Sequence, residues 1–266
     1  MFDPTTRHAD TIAVIAGGSK GLGFATAQQL VAEGCTRIAI GARGRNEGVA
    51  AAKQLSKQGV DAIYIPLDLA EVKSCTAFIA KAISHFGHIN ALMNSGANTQ
   101  RSTLLETTPE FFDKVMAINM RGPLFTMQAF VQHLLDTKQR GHVVNILSTE
   151  HHCGHANLTP YAASKAALAN LTKNSAAAHL RDRININAVA PGWMDTPNEH
   201  DVQMQEDGAS EDWLVEAEAQ APFGQLIKPA EIAGLISYLL SPQVGVMTGA
   251  IIDHDQHVAG SFPEDD

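Results

Sequence analysis

The chain has 266 residues, a net charge of −9 at pH 7 and an isoelectric point near 5.7. Proteins that bind nucleic acid usually carry a basic surplus, so this balance argues against such a partner. The sequence has no run of eighteen apolar residues and no hydrophobic leader, which predicts no membrane span and no secretion. Three widely spaced cysteines, Cys35, Cys75 and Cys153, form no disulfide or zinc pattern, and we expect a cytoplasmic protein.

Short apolar segments alternate with helical segments along almost the whole chain. The predicted strands cover residues 11–16, 37–42, 62–67, 89–93, 142–147 and 184–189, with Ile251 and Ile252 in a seventh. The predicted helices run from the first glycine loop to Glu33 and over residues 47–58, 73–86, 109–138 and 161–181, with an irregularity at Pro123. This alternation is typical of a parallel sheet that is buried on both faces. It predicts one α/β domain over residues 1–266, a single doubly wound parallel sheet of the Rossmann type with helices on both faces.

The loop at residues 16–23 reads AGGSKGLG and joins the first predicted strand to the first predicted helix. Glycines at this position let backbone amides approach a pyrophosphate at the N-terminus of a helix. A plain tight turn could contain the same glycines. The strand–turn–helix context favours dinucleotide binding.

A second pattern involves a tyrosine, a lysine and a serine. Tyr161 and Lys165 are four residues apart in a predicted helix and therefore share a face, and Ser148 precedes the tyrosine by thirteen residues. A nearby ammonium favours the phenolate of a tyrosine, and a hydroxyl from a strand end could hold a carbonyl beside the phenol. The three side chains are typical of a site that moves a proton on and off an alcohol. Alone, the Tyr-x-x-x-Lys pair could equally be a half-exposed tyrosine and a solvated lysine.

In their order and spacing, these motifs resemble those of the classical short-chain dehydrogenase/reductase family over residues 11–255. The family's glycine motif falls on residues 16–23, with Ala16 in place of threonine, and its Asn-Asn-Ala-Gly motif falls on residues 94–97, which read NSGA. The resemblance implies a catalytic set made of Asn119, Ser148, Tyr161 and Lys165. It also implies a cofactor site made of Gly17, Ser19, Lys20, Gly21, Leu22, Gly23, Arg43, Asp68, Leu69, Asn94, Ser95, Gly96, Tyr161, Lys165, Pro191, Gly192, Met194 and Thr196.

The family also implies a role for each catalytic residue. The tyrosine exchanges a proton with the substrate, and the lysine stabilises the phenolate and binds the nicotinamide ribose. The serine orients the reacting oxygen, and Asn119 holds a water that links Lys165 to solvent.

The end of the second predicted strand bears on the choice of cofactor. An enzyme that uses NAD commonly has an acidic residue there for the ribose 2′-hydroxyl, but residues 41–45 read GARGR. Lys20, Arg43 and Arg45 could instead bind a 2′-phosphate. We therefore favour NADP(H), with NAD(H) as the alternative if the arginines are only solvated.

The segment after Ser148 is histidine-rich, since residues 151–155 read HHCGH. This spacing matches no standard finger, and adjacent histidines rarely bind one ion, so we expect no metal. Glu150 and His151 are expected to form a polar wall of the substrate pocket. An exposed loop is the alternative.

Nine acidic residues and no lysine or arginine lie between Trp193 and Gln220. We call residues 193–222 the acidic segment and expect it to form a substrate-binding lid, with Trp193 against the substrate. Apolar contacts are expected from Trp193, Met194, Trp213, Leu214 and Phe223. Such a lid would repel an anionic carrier protein, which argues against an acyl-carrier-protein reductase. Alternatively, the acidic side chains only face water.

Together these observations predict an NADP(H)-dependent oxidoreductase that interconverts a secondary alcohol and a ketone on a small polar molecule, such as a sugar, polyol or hydroxyketone. Family analogy adds a homotetramer. One alternative is a catalytically silent nucleotide-binding scaffold. Another is an epimerase or dehydratase, for which about seventy residues after the Pro-Gly motif are few.

Overall fold

Seven parallel strands form one sheet in the part of the chain that the computed structural model describes, residues 3–205 and 208–261. Their order across the sheet is β3-β2-β1-β4-β5-β6-β7. The strands are β1 (Ile12–Ala16), β2 (Arg37–Ala42), β3 (Asp61–Pro66), β4 (Ala91–Asn94), β5 (Gly141–Ile146), β6 (Ile184–Pro191) and β7 (Ile251–His254). The predicted doubly wound parallel sheet is confirmed.

Helices cover both faces of the sheet. They are α1 (Gly21–Ala32), α2 (Arg45–Ser56), α3 (Val72–Phe86), α4 (Pro109–Met116), α5 (Gly122–Thr137), α6 (Thr159–Ala178), α7 (Pro197–Gln205), α8 (Trp213–Gln220) and α9 (Pro229–Leu239). Buried side chains of α1, α2 and α9 pack on one face, and those of α3, α5 and α6 pack on the other. None of these helices, which all lie in the described ranges, is long and apolar enough to cross a bilayer.

The central strand β1 shows why the sequence selects this fold. Ile12 and Val14 belong to the core on one face of the sheet, whereas Ala13 and Ile15 belong to the core on the other. All five residues of β1 are buried. Since successive side chains of a strand point to opposite faces, a continuous apolar run requires helices on both sides.

The long helix predicted over residues 109–138 is interrupted. A π-helical turn at Ala117–Arg121 separates α4 from α5, and Pro123 lies in the first turn of α5. Proline has no N–H with which to bond the carbonyl of Asn119 four residues earlier, so the regular α-helical ladder cannot continue there. The irregularity predicted at Pro123 is confirmed, and the widened turn contains Asn119.

Candidate active site

The loop between β1 and α1 forms a tight cradle at the carboxyl edge of the sheet. The N–H of Gly17 donates to the carbonyl of Gly41 at 2.8 Å, and the φ of Gly17 is +87°. A side chain on Gly17 would overlap the backbone amide of Gly96 in the loop after β4. A side chain on Gly96 would meet Leu69 Cδ1 at 2.7 Å. Gly17 therefore lets the two loops approach each other, and the displaced glycine of the NSGA motif makes room for Leu69.

A cleft of about 680 Å³ opens beside this cradle and ends at Tyr161 and Lys165. Most of the predicted cofactor residues line it. They are Gly17, Ser19, Lys20, Leu22, Arg43, Asp68, Leu69, Ser95, Gly96, Tyr161, Lys165, Met194 and Thr196. The volume, the glycine cradle and the start of α1 fit a dinucleotide with its pyrophosphate at the helix N-terminus.

The other predicted cofactor residues lie behind this lining. They are Gly21, Gly23, Asn94, Pro191 and Gly192. A side chain on Gly23 would overlap the carbonyl of Gly17, and a side chain on Gly192 would overlap the carboxylate of Asp255. These residues shape the wall of the cleft from outside.

Asn94 belongs to a buried polar network that joins two strands to two helices. Its Oδ1 accepts from Thr126 Oγ1 at 2.7 Å, and its Nδ2 donates to Asn145 Oδ1 at 2.9 Å. Asn145 Nδ2 donates to Thr172 Oγ1 at 2.9 Å. All four residues are at most 3% exposed. Since buried polar groups are costly unless paired, this network fixes α5 and α6 against β4 and β5.

Ser148, Tyr161 and Lys165 come together at the inner end of the cleft. Ser148 follows β5, and its side chain hydrogen-bonds to that of Tyr161 on α6. Lys165 Nζ, one turn further along α6, donates to the carbonyl of Ile146 at 2.8 Å and lies 5.5 Å from the centroid of the Tyr161 ring. The structure thus assembles the three side chains that the sequence analysis grouped.

Asn119, which lies in the π-helical turn, hydrogen-bonds to two segments next to Tyr161 and Lys165. Its Oδ1 accepts from the N–H of Asn98 at 2.7 Å, and its Nδ2 donates to the carbonyl of Asn98 at 2.9 Å and to Ser164 Oγ at 3.0 Å. Both amide hydrogens are therefore used. The side chain links the loop after β4 to the residue that precedes Lys165.

Burial shifts the pKa values of both titratable groups on α6. It raises the pKa of Tyr161 to about 12, although the hydrogen bond from Ser148 acts in the opposite direction. It lowers the pKa of Lys165 to about 7. Without cofactor, the tyrosine therefore holds its proton firmly, and the lysine exchanges its proton near neutral pH.

Comparison with known proteins identifies the family. A family model described as "Enoyl-(Acyl carrier protein) reductase" matches residues 16–256. The chain belongs to the classical short-chain dehydrogenase/reductase family. It is 31% identical over 250 residues to a cis-4-hydroxycyclohexanecarboxylate dehydrogenase of Sinomonas cyclohexanicum, covering 93% of this chain and 96% of the relative. It is 31% identical over 237 residues to a sorbitol dehydrogenase of Cereibacter sphaeroides, covering 87% of this chain and 90% of the relative.

A solved structure shows the same fold. The actinorhodin polyketide ketoreductase with NADPH superposes with a TM-score of 0.85 at 26% identity, covering 92% of this chain and 96% of that chain. This short-chain dehydrogenase/reductase is therefore an oxidoreductase of a family whose named members act on hydroxyl or keto groups.

The low pKa of Lys165 gives this dehydrogenase/reductase a measurable pH dependence. Between pH 7 and 10.5 the unfolded chain still binds the lysine proton that the folded chain has lost. The free energy of unfolding therefore rises with pH in this window, by at most about 1.4 kcal/mol per pH unit. Lys165→Met should reduce this slope, as measured by urea unfolding of cofactor-free protein at several pH values. Equal slopes in the two proteins would show that Lys165 is charged in the fold.

Both cationic and anionic side chains lie at the outer end of the cleft. Lys20 and Arg43 line it, and Lys20 Nζ lies 3.8 Å from Asp201 Oδ2 on α7. Arg45 begins α2 and does not contribute to the lining, although the sequence analysis grouped it with the other two cations. Glu47 does line the cleft. Sequence reasoning missed this carboxylate because it considered only the five residues at the strand end, whereas the first turn of α2 brings Glu47 back over Gly44.

Three charged side chains lie near the hydroxyl of Tyr161. Glu150 and Glu199 raise the pKa of its hydroxyl, and Arg101 lowers it, although burial and the Ser148 hydrogen bond have larger effects. Arg101 Nη2 donates to Glu199 Oε1 at 3.2 Å, and Trp193 Nε1 donates to the same oxygen at 2.9 Å. The sequence analysis singled out Glu150 and Trp193 but missed Arg101 as a site residue. The one feature of the sequence that could have pointed to Arg101 is its position shortly after the NSGA motif.

The acidic segment is partly neutralised by cations from outside it. Lys228 Nζ contacts Asp195 Oδ2 at 2.8 Å and Glu218 Oε1 at 2.5 Å. Lys20 and Arg101 lie near two further carboxylates, those of Asp201 and Glu199. Counting charges within the segment therefore overestimates its negative potential.

The remaining acidic side chains of the segment fall into two groups. Glu211, Asp212 and Glu216 are exposed and form no ion pair with other described residues. Glu206 and Asp207, which were counted in the prediction, lie outside the described residues.

The aromatic residues of the segment also differ in their surroundings. Trp213 is 5% exposed, and its ring lies 6.1 Å from that of Trp193. Phe223 is 81% exposed, so it is not part of the packed core of the domain.

Proposed function

We propose that the protein is an NADP(H)-dependent oxidoreductase that interconverts a secondary alcohol and a ketone on a small polar substrate. One observation carries the proposal. Tyr161 and Lys165 line the inner end of a dinucleotide-sized cleft, with Ser148 beside Tyr161, and Lys20 and Arg43 line the outer end. A proton-transfer group beside a nicotinamide site is the combination that carbonyl reduction requires.

Each residue of the site is proposed to carry out one part of the interconversion of alcohol and ketone. A bound nicotinamide supplies or accepts the hydride. In the reducing direction the Tyr161 hydroxyl donates its proton to the carbonyl oxygen, and Ser148 donates a hydrogen bond that orients this oxygen. In the oxidising direction Tyr161 must be a phenolate before it can take the proton of the alcohol, and its pKa of about 12 opposes the loss of its own proton. A charged Lys165 beside the ring favours the phenolate and eases that step.

Arg43 is proposed to bind the 2′-phosphate of NADP(H). Arg43→Ala should raise the Kd for NADPH by about 10–100-fold, since a hydrogen bond to a charged group contributes about 1.5–3 kcal/mol. Binding of NADH should change little. Arg45→Ala is the matched control, because Arg45 is exposed outside the lining. Fluorescence titration of both nucleotides provides the measurement. An equal loss for NADPH and NADH would contradict the assignment.

Glu47 is proposed to oppose the same phosphate. Its carboxylate lines the cleft close to Gly44, next to Arg43 in the chain, so it repels a 2′-phosphate but can accept a bond from a 2′-hydroxyl. Glu47→Gln should therefore strengthen NADPH binding severalfold and weaken NADH binding. A change of the same sign for both nucleotides would rule out a role in discrimination.

The charged groups around Tyr161 support a hydroxylated substrate. The side chains of Arg101 and Glu199 are mostly buried, at 18% and 13% exposure, and they make this wall polar and charged. Trp193 is 46% exposed, and its ring offers an apolar face. Sugars and polyols combine hydroxyl groups with apolar C–H faces, so this wall fits them better than it fits a plain hydrocarbon.

A β-ketoacyl group on a carrier protein is the second candidate substrate. It is favoured by the cations that neutralise Asp195, Glu199, Asp201 and Glu218, because these reduce the repulsion expected from the acidic segment. The exposed carboxylates of Glu211, Asp212 and Glu216, in and just before α8, oppose it.

A turnover screen separates the candidates. Polyols, hydroxyketones and a carrier-linked β-ketoacyl substrate are assayed with NADPH and with NADH. We expect the highest kcat/KM on a hydroxylated ketone with NADPH. Comparable activity on the carrier-linked substrate would favour the second candidate. Tight NADPH binding with no turnover of any substrate would indicate a silent scaffold.

A further inference from the structure

Three potential metal ligands meet beside Ser148, although they come from distant parts of the chain. His151 and His152 belong to the 3₁₀ turn after β5, and Asp253 lies on β7. One ligand atom from each lies within 4.8 Å of the others. None of the three lines the dinucleotide cleft, so the proposed redox chemistry does not account for them.

The sheet topology explains why this cluster was not predicted. Residues 151–155 alone match no metal motif, which is why the sequence analysis expected no metal. Asp253 follows about one hundred residues later and pairs with Ala190 of β6, the strand next to β5. The cluster therefore exists only after β5, β6 and β7 have assembled.

The hydrogen bond of His151 prepares one ring nitrogen for a metal ion. His151 Nδ1 lies 2.8 Å from the carbonyl oxygen of Ser148. A carbonyl can only accept, so Nδ1 carries the hydrogen and Nε2 keeps its lone pair. Metal-binding histidines are commonly oriented in this way, with the second nitrogen donating to a backbone carbonyl.

The other two ligands already contact each other. His152 Nε2 lies 2.7 Å from Asp253 Oδ2, and the rings of His151 and His152 are 3.9 Å apart between centroids. In the metal-free protein the Asp253 carboxylate can accept a hydrogen bond from His152 Nε2–H. An ion that binds Nε2 takes the place of this hydrogen, which a neutral ring then carries on Nδ1.

We propose that His151, His152 and Asp253 bind one divalent transition-metal ion of the Zn²⁺ type. Two imidazoles and one carboxylate suit Zn²⁺ better than Mg²⁺, which prefers oxygen ligands alone. Three protein ligands leave a position for water or a ligand. Because His151 also holds the carbonyl of Ser148, the bound ion would fix the turn that begins at this serine.

The test is a titration of untagged, cofactor-free protein with Zn²⁺ and Co²⁺, followed by calorimetry and by the thermal unfolding midpoint. All variants carry Cys153→Ser, because this exposed thiol next to His152 is a competing ligand. We expect one ion per chain and a higher unfolding midpoint, since an ion that binds only the folded chain stabilises it. Mg²⁺ should have no effect.

Three variants probe the ligands. Asp253→Asn, His151→Ala and His152→Ala should each weaken Zn²⁺ binding by more than about tenfold, since even outer-shell changes cost that much. The matched control is His179→Ala, which removes another surface histidine that pairs with a carboxylate, Asp182, at 2.8 Å. This control should bind Zn²⁺ as the parent does.

The outcomes are separable. Absence of a stoichiometric ion, or equal affinity in the three ligand variants and the control, would overturn the proposal and leave His152–Asp253 as an ordinary surface ion pair. Three ligand variants are used so that a misfolded one does not decide the result. The titration needs neither substrate nor cofactor, so its result is independent of the proposed oxidoreductase function.

Discussion

Replacement of Tyr161 by phenylalanine is expected to lower kcat by about 10²–10⁴-fold, the usual contribution of a positioned general acid. The phenyl ring fills the same space but cannot exchange a proton. Ser148 would still be able to orient a carbonyl oxygen, and Lys165 would keep its bond to the carbonyl of Ile146. The affinity for the dinucleotide should therefore be almost unchanged.

The measurement combines steady-state kinetics on the best substrate of the turnover screen with a fluorescence titration of NADPH. Tyr238→Phe is the matched control, because this half-buried tyrosine lies on α9, away from the cleft lining. Parent-like turnover of the Tyr161 variant would remove the proton-donor role. A parallel loss of NADPH binding would instead indicate that the tyrosine supports the cofactor.

The substitution Gly17→Ala is expected to cause the largest loss of nucleotide binding. The φ of Gly17 is +87°, a region that costs alanine about 1–2 kcal/mol. The added methyl group would also overlap the amide of Gly96, and overpacking of this kind costs a further ~1–3 kcal/mol. Both loops line the cleft, so the strain can be relieved only by moving the wall that faces the cofactor.

The control variant Gly59→Ala separates the backbone cost of a positive φ from the cost of overlap with a neighbouring loop. Gly59 has nearly the same φ, +83°, but no atom lies within 4 Å of the position of an added methyl group. It should therefore show only the backbone cost in urea unfolding and bind NADPH as the parent does. If the Gly17 variant loses no more stability than the Gly59 variant and still binds NADPH, the close approach of the two loops is unimportant.

Local patterns predicted the fold because they reflect local physics. Continuous apolar runs such as Ile12–Ala16 require burial on both faces, and Pro123 marks a break in a helix that the structure shows as a π turn. The helix α9 was not predicted, although Pro229 and Glu231, whose carboxylate accepts from the N–H of Lys228, mark its start. These signals are weaker than the glycine and tyrosine motifs that drew attention.

The missed features of the site depend on contacts between distant residues. Glu47 enters the cleft through a helical turn, and Arg101 meets Glu199 across 98 positions of the chain. The cations that neutralise the acidic segment, such as Lys228, all lie outside it. Charge counts within a segment cannot include such partners, because the distances that matter are set by the fold rather than by spacing along the chain.

The residues proposed to react and those proposed to recognise the substrate are held by different parts of the fold. Ser148, Tyr161 and Lys165 are carried by β5 and α6, which the buried Asn94–Asn145–Thr172 network holds together. Arg101, Trp193 and Glu199 belong instead to the connections after β4 and β6. Mutations in these connections can change which molecule is accepted without disturbing the reacting groups. This separation gives evolution a simple route to new specificities on an unaltered catalytic frame, and it gives protein engineers the same route.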